Sequence, residues 1–397
     1  MTGWNADRLD RRDFDAVLAP VAEAAGLPNA AYVSADYVGM ERDHLLGRTW
    51  TAIGVGAEVP DPGAVKPVLL YDLPLLLVRD LEGEVRVFHN VCSHRGLQLV
   101  AEPGRAKGVL RCPYHSWTYG LDGTLRATPG IGGPGVNDCA GFRRDGRGLK
   151  AVRCAQWADV VFVDLGGAAG DFADFIGPLA DRWAAFDLDQ LRHGGADSRF
   201  ELSLACNWKL AVDNYCEAYH LPWVHPSLNS YSRLEDHYNI AVEDRFSGQG
   251  TRVYAPRLAG GDGQAAFPEF AGLPPQWQQG AEYIALYPNV LFGIHRDHFY
   301  AVVVLPLAPD RVKEKFEIYY VGAAATAADL AALRDANRRQ WRQVFEEDRG
   351  VVEGMQRGRA SPAFQGGAFS PVMDGPTHCF HAWVARRIGN ALGRNES

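Results

Sequence analysis

Cys92-Ser-His94 is followed, after 17 intervening residues, by Cys112-Pro-Tyr-His115. Two thiols and two imidazoles in paired spacing suit one metal centre, either a zinc ion or a two-iron, two-sulfur cluster with mixed ligands. Zinc fingers group Cys-x-x-Cys and His-x-x-His on a ββα unit. Here each pair mixes the two residue types. Each follows a short strand-like run, 85–91 or 108–111, so two loops can clasp a centre between them.

A second constellation lies in NWKLAVDNYCEAYHLPWVHP, residues 207–226. The pattern predicts a helix from Trp208 to His220, with Asp213, Glu217 and His220 on one face. Pro222 biases Leu221 away from helical geometry. On a continuing helix, positions five apart diverge by about 140°. A turn after His220 instead lets His225 come back toward it. Two histidines plus a carboxylate make the facial triad of non-heme Fe(II) oxygenases.

The carboxylate has two sources. Glu217 itself completes the triad, or a distant residue does. The downstream segment predicts a helix over 326–357, capped by Thr326, with Trp341, Val344, Phe345, Val352 and Met355 as an apolar stripe. Asp348 lies in that stripe, and Glu347 points about 100° away from it. A carboxylate on a core-facing stripe is costly unless it is ion-paired or bound to metal. Both readings of Asp348 stand at this point.

The elements that must position these groups divide in two. The 50–163 region is strand-rich, with turn signals at Pro60-Asp61-Pro62-Gly63, Glu82-Gly83 and Asp122-Gly123. Residues 1–37 read as a helical lead-in with Phe14–Ala25 as its helix. From about residue 170 helices and strands mix. A helix is expected over 172–185, and strands over 200–206, 246–254, 283–294, 299–307 and 315–321. That order predicts an α+β fold, an antiparallel sheet packed with helices. The expected domains are a lead-in, 1–37, packed on the catalytic part; an all-β cluster-binding domain, 38–160; and a catalytic domain, 161–397.

Composition narrows the function classes. The chain has 397 residues, 47% of them hydrophobic and 22% charged, and a formal net charge of −8. No basic stripe is present, which argues against nucleic acid. No apolar run approaches the ~18 residues of a membrane span. Seven scattered cysteines do not form a disulfide framework, and a cytoplasmic setting is expected.

The flanking residues make the assignment specific. Cys92-Ser-His94-Arg95-Gly96 and Cys112-Pro-Tyr-His115-Ser116-Trp117 resemble the Rieske signature of ring-hydroxylating oxygenases. Glu217-x-x-His220-x-x-x-x-His225, with Glu346-Glu347-Asp348 downstream, resembles the catalytic domain of Rieske oxygenase α-subunits. The likeness runs from about residue 40 to the end. It is closest to the branch acting on choline, glycine betaine and carnitine, where Glu rather than Asp is typical at position 217. The resemblance implies a helix-grip, Bet v1-like catalytic domain. It implies Cys92, His94, Cys112 and His115 as ligands of a [2Fe–2S] cluster, and His220, His225 and Asp348 as ligands of a mononuclear Fe(II). Glu217 is then not a ligand. It bridges His220 to the partner subunit's His115 and carries electrons across the interface of a homotrimer. Electrons would come from NAD(P)H through a separate reductase or ferredoxin, since no G-x-G-x-x-G follows a strand here. O₂ and a small molecule would be the substrates.

The substrate is less legible. Tyr215, Tyr219, Trp223 and Tyr231 surround the iron motif, and such aromatics can box a quaternary ammonium by cation–π contact. His295 and His298 are candidates to hold a carboxylate, with Arg233 and His237 behind them. Arg95 is a candidate docking residue for an acidic redox partner. The leading expectation is hydroxylation or N-demethylation of a betaine-like compound. The alternatives are hydroxylation or O-demethylation of an aromatic acid, and an electron-transfer protein without oxygenase activity.

Overall fold

The computed structural model describes residues 12–256 and 266–394. The chain forms two compact units. One is Ala52–Gly167; the other joins the residues up to Thr51 with those from Ala168 onward. The all-β unit thus starts later and ends slightly later than the expected 38–160. The segment before it belongs to the catalytic unit.

In Ala52–Gly167 the strands are β1 (Thr51–Val55), β2 (Ala64–Leu70), β3 (Leu73–Arg79), β4 (Val85–His89), β5 (Gly104–Arg105), β6 (Val109–Arg111), β7 (Thr118–Gly120), β8 (Leu125–Ala127), β9 (Ala151–Trp157) and β10 (Val160–Asp164). Seven of them form a sheet in the order β1-β10-β9-β4-β3-β2-β5, and β6-β7-β8 form a second, smaller sheet. The Glu82-Gly83 and Asp122-Gly123 turns join β3 to β4 and β7 to β8, with both glycines at positive φ. This is where a side chain would strain the turn.

The two Cys/His motifs occupy loops of matching construction. The first is closed by a bridge between Val91 and Gln98, the second by pairing of Arg111 with Thr118. In the first, the Gly96 N–H donates to the Cys92 carbonyl (3.0 Å) and the Cys92 N–H to that of Leu97 (2.8 Å). In the second, Ser116 N–H donates to Cys112 (3.0 Å) and Cys112 N–H to Trp117 (2.8 Å). The residue four after each cysteine, Gly96 or Ser116, takes a left-handed conformation, at φ +73° and +57°.

The catalytic unit holds β11 (Leu191–His193), β12 (Arg199–Leu204), β13 (His237–Val242), β14 (Phe246–Thr251), β15 (Ala281–Leu286), β16 (Val290–Ile294), β17 (His298–Ala308) and β18 (Arg311–Val321). They make one antiparallel sheet, β11-β18-β17-β16-β15-β14-β13, with β12 also paired to β18. The apolar run expected as one strand over 283–294 is two, β15 and β16, reversed at Tyr287-Pro288-Asn289. The helices are α1 (Arg12–Asp15), α2 (Ala30–Val33), α3 (Ala35–Met40), α4 (Phe172–Arg182), α5 (Trp208–Cys216), α6 (Leu221–Val224), α7 (Pro226–Asn229), α8 (Ala331–Arg359) and α9 (Gly375–Arg394). The long helix α8 lies on the sheet: Trp341 and Phe345 pack against Tyr300, and Phe345 also meets Phe316 edge-on at 4.9 Å.

Four helical expectations change. Leu221 is helical after all, opening α6 with Pro222 in its first turn. The lead-in is not a helix over Phe14–Ala25; α1 covers one turn and a 3-10 turn follows to Leu18, because Pro20 cannot continue the backbone ladder. Residues 1–11 of the lead-in lie outside the described residues. Helix α5 stops at Cys216, so Asp213, Glu217 and His220 do not share a helix face. Thr326 does not cap α8; two 3-10 turns intervene and α8 begins at Ala331.

Gly96→Ala should lower stability by about 1–2 kcal/mol, because a Cβ at that left-handed φ is strained even where there is room for it. Equilibrium denaturation of the cluster-loaded protein would measure this, and an unchanged midpoint would mean the loop shifts freely.

Candidate metal centres and substrate cavity

Within Ala52–Gly167, the two loops bury Cys92 and Cys112 in the core with Leu76, Val78, Leu110 and Tyr119. Neither cysteine is in a disulfide. The rings of His94 and His115 stand 4.8 Å apart. His94 stacks on Trp117 at 4.6 Å and 5° between planes. The Nδ1 atom of His115 is buried with no hydrogen-bond partner. Two thiols, two imidazoles and an orphaned ring nitrogen suit a mixed-ligand iron–sulfur centre, which would supply the missing partner.

Tyr119 was not singled out from sequence. Its hydroxyl lies 3.1 Å from Cys92 Sγ and 3.0 Å from Ser93 Oγ, and it accepts from the Ser93 N–H at 3.1 Å. Ser93 Oγ–H donates to the Arg147 carbonyl at 2.7 Å. With the serine proton so committed, the Tyr119 proton points at Ser93 Oγ or the cysteine sulfur. Burial pushes the Tyr119 pKa up to about 12, so this donor keeps its proton.

In the catalytic unit, α5 is capped by Asn207, whose side chain accepts from the Lys209 N–H at 3.1 Å. At its other end Glu217 leaves helical geometry, with φ −123° and ψ 163°. The Glu217 carboxylate accepts from the N–H groups of Tyr219 and His220, which tightens the turn into α6. That turn brings His220 and His225 together, with ring centroids 5.1 Å apart.

His220, His225 and Asp348 each place a ligand atom within 4.8 Å of the others. The proton positions decide what they can do. His220 Nδ1 pairs with Glu217 Oε1 at 2.6 Å, and His225 Nδ1 with Glu347 Oε2 at 2.8 Å. With both imidazoles neutral, each carboxylate takes the Nδ1–H and each Nε2 carries a lone pair. Both Nε2 atoms face Asp348 Oδ1, at 3.7 Å from His220 and 3.0 Å from His225. Yet Asp348 Oδ1 is buried with no hydrogen bond of acceptable geometry. In that state three acceptors converge. Without a metal, burial lowers the His225 pKa but Asp348 and Glu347 hold it up, so a proton would take the cation's place. A divalent cation resolves that arrangement, and this pattern of oriented imidazoles is the usual support of a metal.

Glu347 is the residue the helical-wheel argument set aside. Lying off the apolar stripe, it reaches His225 from the flank of α8. Its other oxygen accepts from Gln343 Nε2 at 2.9 Å. Asp213, expected on the ligand face, serves elsewhere: it accepts from Tyr32 at 3.1 Å and pairs with His381 Nε2 at 3.0 Å.

A cavity opens beside the two histidines. Tyr215, Tyr283, Tyr300, Trp341 and Phe345 wall it, with Glu217, Asp348, Ser232, His237 and Gln249 among its polar lining. The sequence-predicted aromatics are redistributed. Tyr215 is a wall residue. Tyr219 and Trp223 are 45% and 70% exposed and do not line this cavity, a correction that follows from the early end of α5. Tyr231 lines a separate open groove with Arg233 and packs on Tyr254. His295 and His298 are buried and stacked at 4.1 Å. They sit behind the wall, where the Trp341 indole N–H donates to His298 Nε2 at 3.1 Å, and do not face the cavity.

The model of the ring hydroxylating alpha subunit (catalytic domain) matches residues 188–390, and that of the Rieske [2Fe-2S] domain matches residues 49–138. The chain belongs to the Rieske oxygenases, in the ring-hydroxylating alpha-subunit family. Its cofactors are accordingly a [2Fe–2S] cluster and a mononuclear iron. It is 28% identical to a chloroplastic choline monooxygenase of Arabidopsis thaliana, over 95% of this chain and 86% of that protein. It is also 28% identical to the glycine betaine monooxygenase oxygenase subunit of Chromohalobacter salexigens, over 90% and 85%. Among solved structures, a quaternary ammonium Rieske monooxygenase with L-carnitine bound has a TM-score of 0.76 at 22% identity, covering 96% of this chain and 99% of that one. Naphthalene 1,2-dioxygenase from Rhodococcus sp. reaches 0.75 at 19%, covering 95% and 98%. These two likenesses establish the fold. Among the described residues, no helix is long and apolar enough to cross a membrane.

Two substitutions separate the centres. Glu347→Leu should weaken iron binding by about 10- to 100-fold, the usual cost of losing a carboxylate that orients a metal-bound histidine. Iron titration of the apoprotein would read this, with the cluster spectrum unchanged. Tyr119→Phe should make the cluster reduction potential more negative, because a hydrogen bond toward a cluster sulfur stabilises the reduced state. Voltammetry would check it, and an unmoved potential would place the hydroxyl proton on Ser93 instead.

Proposed function

We propose that this chain is the oxygenase component of a two-part monooxygenase acting on a small quaternary ammonium compound, with electrons delivered from NAD(P)H by a separate reductase. Cys92, Cys112, His94 and His115 hold the cluster, and His220, His225 and Asp348 hold the iron. When bound, the iron supplies O₂ activation, with electrons passed on from the cluster.

The protein's own side chains do the rest. Glu217 and Glu347 fix the tautomer and ring angle of the two histidines. Glu217 also bridges His220 to the partner subunit's His115 in a homotrimer. Its carboxylate already engages His220 Nδ1 on one side, which supports that role. Tyr215, Tyr283, Tyr300, Trp341 and Phe345 exclude water around the reacting carbon and present ring faces to the substrate.

One observation carries the substrate class. The cavity beside the iron site has aromatic walls and two carboxylates, and among the described residues no lysine or arginine lines it. A cation is attracted to the ring faces of such a lining. An aromatic acid would bring a carboxylate with no cationic side chain to meet it. The relatives named for choline, glycine betaine and carnitine point the same way.

The test is turnover by the purified protein with iron, a surrogate reductase, NADH and O₂. Choline, glycine betaine and carnitine would be offered beside methoxylated aromatic acids, with formaldehyde and product mass as readouts. Oxidation confined to the quaternary ammonium compounds is expected; oxidation confined to the aromatic acids would overturn the reading. A Glu217→Gln protein should keep both metal centres and lose turnover, whereas loss of iron would make Glu217 a ligand.

A further inference from the structure

The cavity holds a polar feature that metal ligation does not use. Ser232 Oγ lies 3.0 Å from His237 Nε2, and His237 Nδ1 pairs with the side-chain oxygen of Gln249. All three residues line the cavity. They come from different places: Ser232 from the loop after α7, His237 from the start of β13, and Gln249 from β14, two strands paired in register. Ser232 is 1% exposed and Gln249 8%, so both ends of the relay are shielded from bulk water, with His237 half-buried between them.

Its protonation follows from the acceptors. Gln249 Oε1 only accepts, so the imidazole proton sits on Nδ1, and Nε2 accepts the Ser232 hydroxyl proton. Burial pushes the His237 pKa below its usual value, against the opposing influence of Gln249. The relay is therefore neutral. It offers the oxygen lone pairs of Ser232 to the cavity, supported by a fixed hydrogen-bond chain.

The other hydroxyls in the wall are committed elsewhere. Tyr215 donates to the Phe292 carbonyl at 2.8 Å, Tyr300 pairs with Tyr215 at 3.0 Å, and Tyr283 pairs with His295 Nε2 at 3.3 Å. Among the described residues, no lysine or arginine lines the cavity. A substrate carboxylate would be buried there beside Glu217 and Asp348 with no cationic side chain to pair with. A substrate hydroxyl has a ready acceptor.

We propose that Ser232, held by His237 and Gln249, reads a hydroxyl group on the substrate, so that the compound oxidised is a quaternary ammonium alcohol rather than a carboxylate-bearing betaine. This inference rests on the quaternary ammonium reading above and narrows it. Ser232 then acts as a specificity-determining residue, distinct from the groups that hold the iron.

Calorimetric binding to the anaerobic, iron-loaded protein tests it with three probes: choline, its deoxy analogue ethyltrimethylammonium, and glycine betaine. Wild-type protein should bind choline about tenfold or more tightly than ethyltrimethylammonium, the value of one buried hydrogen bond. Ser232→Ala should erase that ratio while leaving ethyltrimethylammonium binding, iron content and the cluster spectrum unchanged. Ser232→Thr should restore part of it. Equal binding of choline and its deoxy analogue by wild-type protein, or tighter binding of glycine betaine, would overturn the hydroxyl assignment and leave the quaternary ammonium reading standing. Binding of none of the three would overturn both. The wild-type comparison needs no variant, so it decides even where a substitution disturbs folding.

Discussion

Two imidazoles and a carboxylate held together so that only a cation or a proton can sit between them are the constraint on which the catalytic unit depends. His220 Nε2, His225 Nε2 and Asp348 Oδ1 would repel one another with neutral imidazoles and no cation. They stay together because each is held from behind. Glu217 holds His220, and Glu347, itself tied to Gln343, holds His225. The position of α8 on the sheet, set by Trp341 and Phe345, delivers Asp348 and Glu347 together. A metal is then the group that makes the arrangement favourable, and metal binding and folding of this region are coupled.

The same logic appears in the all-β unit with different parts. There the donors are soft sulfur and imidazole, and the loops that carry them share a hydrogen-bond plan around Cys92 and Cys112. Each loop needs one left-handed residue, met by glycine in one case and serine in the other. The cysteines are core residues and would anchor a cluster in packed interior, while the histidines of the same loops lie nearer the surface. Buried sulfur with more accessible imidazoles suits a centre that exchanges electrons through its histidine edge.

The helix end at Cys216 links the iron site to its substrate cavity. Had α5 run on to His220, Glu217 would lie along a helix face and Tyr219 would turn with it. Instead Glu217 uses its carboxylate to cap the following turn and to orient His220 at once. This leaves Tyr219 and Trp223 on the surface, and the cavity is walled by rings from the sheet and α8. The buried pair Lys209–Glu41, with Tyr32 and His381 on Asp213, fixes α5 from its far side. Breaking that pair from one side would leave a buried charge uncompensated.

Much of the chemistry was legible in the chain itself. Cys92, His94, Cys112 and His115 are recognisable because ligands on short loops sit at fixed local spacing, and local spacing survives in sequence. His220 and His225 are legible for the same reason. Asp348 was reachable through helical periodicity, as a charge on an apolar stripe. What tertiary structure alone decided is direction across long separations. Glu347 meets His225 across 122 residues, and nothing in the periodicity of α8 points it there. Tyr119 reaches the Cys92 loop only because β7 folds under it. Ser232, His237 and Gln249 meet only because strand register brings β13 and β14 side by side. Which aromatic rings face the cavity was likewise invisible. A side chain's neighbours along the chain set its local geometry, whereas the surface it faces is set by how distant elements pack.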